Sequence, residues 1–335
     1  MKATYIFNIG QILAAIMLLG SSALAQKVGT TSMQFLKVMP TARGTAMGEA
    51  YTTVATGAEA VYWNPGGVAV IQRSEFSLTY IDWIFDTRQG ALSFAMPLAD
   101  WGAAGVQLQY VDYGVFEEAL ANPARLTGRQ FHPITYLVGL TYARGLTERF
   151  SAGVTVKFGH ESLFDQGSVT VISSQGLTET VNTYANALLF DFGLRYDTGF
   201  RSVRIAASVQ NFGASVKYAK EASPAPLLFR LGIGADILGA NSLFGLLEDH
   251  RLSGAFDLFQ PNDYTQQMHA GLEYEYAQTF ALRVGYKFNY DFEGLTIGGG
   301  LRQELADIML AFDYSYGSLG EYLGKAHRIS LGVGL

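Results

Sequence analysis

The residues best equipped for chemistry are five histidines, and their spacing gives them nothing to do together. His132, His160, His250, His269 and His327 fall on separate stretches, with no H-E-x-x-H spacing to set two imidazoles on one helical face around a metal. The chain has no cysteine, which excludes disulfides and thiolate metal sites. A G-x-S-x-G nucleophile turn is absent, as is a phosphate-cradling Walker loop. Gly298-Gly299-Gly300 lies inside an alternating stretch, where curvature or close backbone approach accounts for it. The expectation is a non-enzymatic protein with no catalytic residue, metal or cofactor.

A second set of reactive groups is more orderly. Arg195, Arg230, Asp236, Glu273, Glu275, Arg283, Lys287, Arg302 and Asp313 each alternate with apolar residues, and positions of one parity share one face of a strand. A face carrying both signs reads as pairs across an enclosed space, or as partners for a segment packed inside it, ahead of a substrate path. Buried charge is tolerated only when it is paired.

The elements that place these charges begin at Glu75. Phe76, Leu78 and Tyr80 alternate with Ser77, Thr79 and Ile81. Ile134, Tyr136, Val138, Leu140 and Tyr142 repeat the pattern, as do Phe280, Leu282, Val284, Tyr286 and Phe288, and the chain finishes on Ile329, Leu331, Val333 and Leu335. About fourteen such stretches follow one another, each close to the length of a tilted membrane-spanning strand. The sequence is 49% hydrophobic yet has no run of about 18 apolar residues, so a membrane-facing β surface explains the apolar content better than a spanning helix. A soluble antiparallel sandwich also alternates, but its strands are shorter and its apolar face points inward. The predicted fold is all-β, a transmembrane antiparallel β-barrel of about 14 strands.

Connection lengths agree. With both termini in the periplasm, odd-to-even links face outward and run longer; the links over residues 113–133, 161–183, 213–225 and 317–326 all do. The exception is 238–250, on the other side and long enough for a short helix.

Two stretches precede the strands. Met1-Lys2, the apolar run 12–19 and Ala23-x-Ala25 form a secretory signal peptide over residues 1–25, which sends the mature chain from Gln26 out of the cytoplasm. Residues 33–70 are small and almost uncharged, carry Gly44 and Gly48, and close on Tyr62-Trp63-Asn64-Pro65-Gly66-Gly67. Asn-Pro-Gly is a turn signal. The expectation is a hatch over residues 26–72 enclosed by a barrel over 73–335. A net charge of −6 without a basic patch excludes nucleic acid and leaves outer-membrane lipid as a partner. Binding groups favour loops on a rigid scaffold, so Tyr113, Phe116, Glu117 and Glu118, with the segment 168–182, are the candidate contacts at the outer rim.

Gln34-Phe35-Leu36-Lys37, Ala42-Arg43-Gly44-x-Ala46-Met47-Gly48-Glu49-Ala50-Tyr51, Ala60-Val61-Tyr62-Trp63-Asn64-Pro65-Gly66-Gly67 and the closing His327-Arg328-Ile329-Ser330-Leu331-Gly332 together resemble the PorV/PorQ family of outer-membrane proteins. The family looks like a branch of the FadL-type fourteen-strand barrels, whose hatch carries an Asn-Pro-Ala turn. Asn64 and Pro65 match that turn, and Gly66 stands for Ala. The resemblance implies a component of type IX secretion that binds the C-terminal sorting domains of exported proteins and works with translocon components. The alternative it leaves open is a FadL-like transporter of hydrophobic small molecules. Localisation in a Gram-negative-type outer membrane follows from either reading.

Overall fold

A computed structural model describes residues 29–335, apart from 122–123, 165–166, 173–177, 219–220 and 246. The leader expected over residues 1–25 lies outside the described residues. In chain order the strands are β1 (Glu75–Asp82), β2 (Arg88–Pro97), β3 (Ala103–Asp112), β4 (Phe116–Ala121), β5 (Ala124–Phe131), β6 (Ile134–Gly145), β7 (Phe150–Ser162), β8 (Ser168–Ile172), β9 (Thr178–Asn182) and β10 (Tyr184–Asp197). There follow β11 (Arg204–Gly213), β12 (Val216–Tyr218), β13 (Glu221–Ser223), β14 (Leu228–Leu238), β15 (His250–Pro261), β16 (Gln267–Tyr276), β17 (Phe280–Phe288), β18 (Leu295–Leu305), β19 (Ile308–Ser318) and β20 (Lys325–Gly334).

Fourteen of these close into one antiparallel barrel in the order β1-β2-β3-β6-β7-β10-β11-β14-β15-β16-β17-β18-β19-β20. The closing ladder pairs β1 with β20, from Glu75 with Gly334 to Asp82 with His327. The remaining strands form three two-stranded hairpins, β4-β5, β8-β9 and β12-β13. Period-two sequence puts Leu, Phe, Tyr, Ile and Val outward and Gly, Ser, Thr and charged residues inward. Phe76, Leu140, Tyr196, Leu282 and Phe312 are exposed, whereas Ser93, Thr155, Arg230 and Glu273 are buried. This inversion of a soluble protein suits a wall with lipid outside and polar contents within. The ladder slips at two places, between Phe190 and Phe192 of β10 and between Asp236 and Leu238 of β14.

The three hairpins and a short helix, Gly320–Leu323, decorate one end. Most turns at the other end are tight, and Thr198 there donates to the Val203 carbonyl at 3.1 Å. Long connections mark the outer end of such a barrel. The expected outer loops are thus in large part β-hairpins. The 239–249 link at the turn end forms no short helix among its described residues. It folds as turns back onto β14, Leu243 donating to Asp236 and Phe244 to Ile237.

The polypeptide before β1 runs through the lumen as short helical turns, Gln34–Lys37, Ala42–Ala46, Gly57–Glu59, Ala60–Trp63 and Pro65–Val70. Met47, Tyr51, Val61, Trp63 and Val68 pack with Ala91, Ala95, Ala103 and Ala143 of the wall. Nearer the hairpins, Met33, Phe35 and Leu36 pack with Val111, Leu137, Leu189 and Val216. Ser32 donates to the Pro224 carbonyl at the hairpin end, whereas Leu335 donates to Ser74 at the turn end. Ser32 and Leu335 therefore lie at opposite ends of the barrel, while the N-terminus itself falls outside the described residues. The first described residues lie at the outer end, and the segment crosses the lumen before β1 starts from the turn end.

Candidate functional site: the occupied lumen and the outer rim

Residues 33–70 contain four charges, Lys37, Arg43, Glu49 and Glu59, and each has a polar partner. Lys37, Thr31 and Gln34 all reach the Asp263 carboxylate. Arg43 forks onto Glu273, Nε to Oε2 at 2.8 Å and Nη2 to Oε1 at 2.6 Å. Glu273 is shared with Arg283 at 2.6 Å, and Arg283 continues to Asp313. Glu49 accepts from Arg230 at 3.0 Å and from Lys287 at 2.6 Å. Glu59 accepts from the Tyr51 hydroxyl at 3.0 Å.

Backbone groups of the segment are held as well. The Asp257 carboxylate accepts the Tyr51 and Thr52 amides at 3.0 and 2.9 Å and the Thr52 hydroxyl at 2.6 Å. Arg195 donates to the Thr53 carbonyl, and Arg328 to that of Met39. The inward charges read from the sequence are thus partners, partly across the wall and partly for the inserted segment. Asp236 and Glu275 are bridged by Arg251 at 3.0 and 3.1 Å, and Arg302 also reaches Glu275.

Electrostatics follow this pairing. Burial by itself raises Glu49, but Lys287 and Arg230 outweigh it and hold the carboxyl well below the usual carboxylate range. Glu59 goes the other way: burial, with Asp313 adding to it, pushes it up to about 7 against the opposing pull of Arg43 and the Tyr51 hydrogen bond.

The turn residues sit where the inserted segment meets the wall. Asn64 is fully buried; its Oδ1 accepts the Gly66 amide at 3.0 Å, and its Nδ2 donates to Thr52 and Leu194 carbonyls at 3.1 and 3.0 Å. Pro65 opens the next helical turn, where a missing N–H costs nothing. A Cβ on Gly193 of the wall would strike Asn64 and Pro65, and one on Gly285 would strike the backbone at Gly48. Gly44 lies against Trp63 and Tyr51, which meet edge to face with centroids 5.2 Å apart. Trp63 donates to the Thr41 hydroxyl at 2.9 Å. Tyr62 receives the Gln210 amide on its carbonyl at 2.6 Å. Gly67 lies under the Ala55 carbonyl.

A cavity of about 780 Å³ opens at the turn end, bordered by Arg43, Glu59, Glu75, Arg251, Glu275 and Arg302. Next to Leu36, Tyr62 and Gln107 the interior narrows to a space of about 20 Å³, on the order of one water molecule. The histidines are as scattered as their spacing suggests. His269 is buried and bonds the Tyr290 hydroxyl at 2.8 Å, whereas His160 and His250 lie among tyrosines, beside Tyr136 and Tyr274.

The rim candidates divide. Phe116 and Glu117 are exposed on β4, and Glu118 accepts the Thr127 hydroxyl at 2.8 Å. Phe116 stacks on Phe131 of β5 at 5.7 Å, and Phe131 meets Phe164 at 4.6 Å. Tyr113 is half-buried and packs on the upper apolar cluster. Sequence reading omitted the exposed Val115 and Leu126 and the Phe131 stack; register alone pairs Phe116 with Phe131.

Residues 21–243 match the model of the family described as type IX secretion system protein PorV. The chain belongs to the PorV family. Its match ends within the β14–β15 link, and likeness to solved barrels covers the fold of the rest. The Ralstonia pickettii toluene transporter TbuX aligns at 14% identity with a TM-score of 0.55, covering 89% of this chain and 98% of that one. The Pseudomonas putida toluene transporter TodX aligns at 14% identity and TM-score 0.54, over 87% and 96% of the two chains. A Pseudomonas aeruginosa FadL homologue aligns at 10% and 0.52, over 88% and 98%. At such identities the likeness is one of fold: this PorV-family protein is an outer-membrane β-barrel of FadL-like architecture. No curated protein matches it in sequence.

Proposed function

We propose that the protein is a non-enzymatic partner in type IX secretion that holds the C-terminal sorting domains of exported proteins at its outer rim, working with translocon components. Residues 26–72 act as a hatch closing the barrel of 73–335, and the leader over 1–25 directs export. The observation that carries this reading is the anchoring of the inserted segment from end to end, at Asp263, Glu273, Asp257 and the Arg230–Lys287 pair. A lumen filled in this way leaves the outer hairpins as the working surface. Phe116 with the Phe131 stack supplies an aromatic anchor, and Glu117 and Glu118 supply steering charge at its edge.

The experiment is a pull-down with a sorting domain, comparing the parent with a variant lacking residues 115–130. Capture by the parent and loss in the variant is the expected result. No capture by the parent, together with a fatty acid or similar ligand co-purifying in the barrel, would shift the reading to transport of hydrophobic compounds. In cells, deletion of the protein should leave cargo with type IX C-terminal signals unexported or uncleaved, with hydrophobic uptake unchanged.

A further inference from the structure

On the outward wall near the hairpin end, register sets six residues in two rows across three strands. Tyr80 of β1 faces Gly90 of β2, and Gly90 faces Tyr110 of β3. One step nearer the rim, Asp82 faces Arg88 and Arg88 faces Asp112. Tyr80 and Tyr110 are 47% and 42% exposed, and Asp82 and Arg88 are exposed as well.

Gly90 has no local reason to be glycine. Gly193 and Gly285 face the inserted segment, but a Cβ at Gly90 would meet nothing within 4 Å, and its φ is not positive. Outward positions of a membrane barrel ordinarily carry a large apolar side chain. Here a slot is left instead, floored by bare backbone and walled by two tyrosines roughly 10 Å apart, twice the spacing between strands.

Above the slot, the Arg88 side chain forms no ion pair or hydrogen bond among the described residues. The Asp112 carboxylate accepts the Gly114 amide at 2.8 Å, and Asp82 stands on the other side. The sequence of charge across the mouth is negative, positive, negative. A guanidinium forks onto phosphate oxygens, and a carboxylate accepts the N–H groups of a primary ammonium. A purely anionic headgroup would meet both carboxylates, and a choline headgroup would offer them no N–H. We propose that this is a binding site for a phosphoethanolamine lipid, with its phosphate on Arg88, its ammonium on Asp82 or Asp112 and an acyl chain in the slot over Gly90. The site is independent of any role in secretion.

The test is native mass spectrometry of the full chain released from nanodiscs containing equal phosphatidylethanolamine, phosphatidylcholine and phosphatidylglycerol. The parent should retain the ethanolamine lipid with about tenfold preference, the scale of one charge-assisted hydrogen bond. Arg88→Gln removes the phosphate ligand and Gly90→Leu fills the slot; each should erase that preference. Gly299→Leu, an outward site on β18 where a Cβ meets only the Ala281 carbonyl at 3.5 Å, should leave it intact. The Arg88 side chain is exposed and unbonded among the described residues, and Gly90 and Gly299 have room for a Cβ, so heat-modifiable migration should be unchanged in all three variants. Equal retention of the three lipids by the parent, or an unaltered preference in both Arg88→Gln and Gly90→Leu, would overturn the proposal.

Discussion

Glu49→Ala is the most direct test of whether ion pairing seats the inserted segment. The substitution strands two buried cations, but not equally. Lys287 keeps Glu293 at 2.5 Å, whereas Arg230, fully buried against Trp63 and Phe259 at 5.3 and 4.2 Å, loses the only carboxylate it hydrogen-bonds among the described residues. One orphaned charge puts the cost at the lower end of the range for a broken buried pair, about 3 kcal/mol, or roughly a hundredfold in an opening equilibrium. Hydrogen exchange followed by mass spectrometry reads it directly. Amides over residues 42–63 should exchange roughly a hundredfold faster, with β15, β16 and β17 unchanged. Adding Arg230→Met should recover about tenfold, because an apolar side chain of similar reach removes the orphaned charge. Parent-like exchange in Glu49→Ala, or an equal rise throughout the strands, would refute the reasoning.

Further outcomes follow from the same geometry. Gly285→Ala should displace the inserted segment without opening the barrel, since the new Cβ meets the Gly48 backbone and no side chain can yield; protease sensitivity confined to residues 33–70 is the readout. Replacing Pro65 should raise exchange in the same residues, and equal exchange in segment and strands would count against an independent hatch. Glu59 carries a proton in the seated state that the released segment gives up, because its pKa is raised from 4.5 to about 7. Seating should be tightest below the ordinary carboxylate pKa, weaken as pH rises to about 7 and stay level above it; in Glu59→Gln, exchange should lose that dependence. A cysteine at Gly29, in a chain with no other, should react with an impermeant maleimide on intact cells, because Ser32 is tied to Pro224 at the outer end.

The wall was legible because its physics is local. A strand between lipid and a polar interior must alternate, so Phe280 to Phe288 betrays both its state and its inward residues. The inserted segment was legible in composition, through small residues and the Asn64-Pro65 turn, but not in direction. No local pattern says that Met33 sits among Leu137 and Leu189 at the outer end. Its anchors are legible in kind: four charges in an otherwise neutral stretch suit a lumen whose inward Arg, Lys and Glu read as partners for a packed segment. Which pairs with which depends on a register between segment and wall that spacing does not encode. The hairpin β4-β5 reads as loop in the sequence because the charges Glu117, Glu118, Arg125 and Arg129 blur its period-two pattern. Tyr113 belongs with the strand end below it, where the Asp112–Gly114 turn leaves its ring over apolar neighbours.

The glycine contacts also constrain how the molecule is made. Gly285 admits the Gly48 backbone and Gly193 admits Asn64 and Pro65 at distances that no side chain would permit, so wall and contents are cast against each other. The segment precedes every wall strand in the chain, and the ladder that joins the first and last strands of the sheet is β1 with β20. A barrel sealed beforehand would have to draw Trp63 and Tyr51 lengthwise past Arg230, Glu273 and Asp257. Closing the wall around a segment already in place avoids that passage. On that route the segment ahead of β1 would be the mandrel on which the sheet curls, and a defect at Gly48 or Asn64 would surface as a failure of assembly before it surfaced as a failure of function.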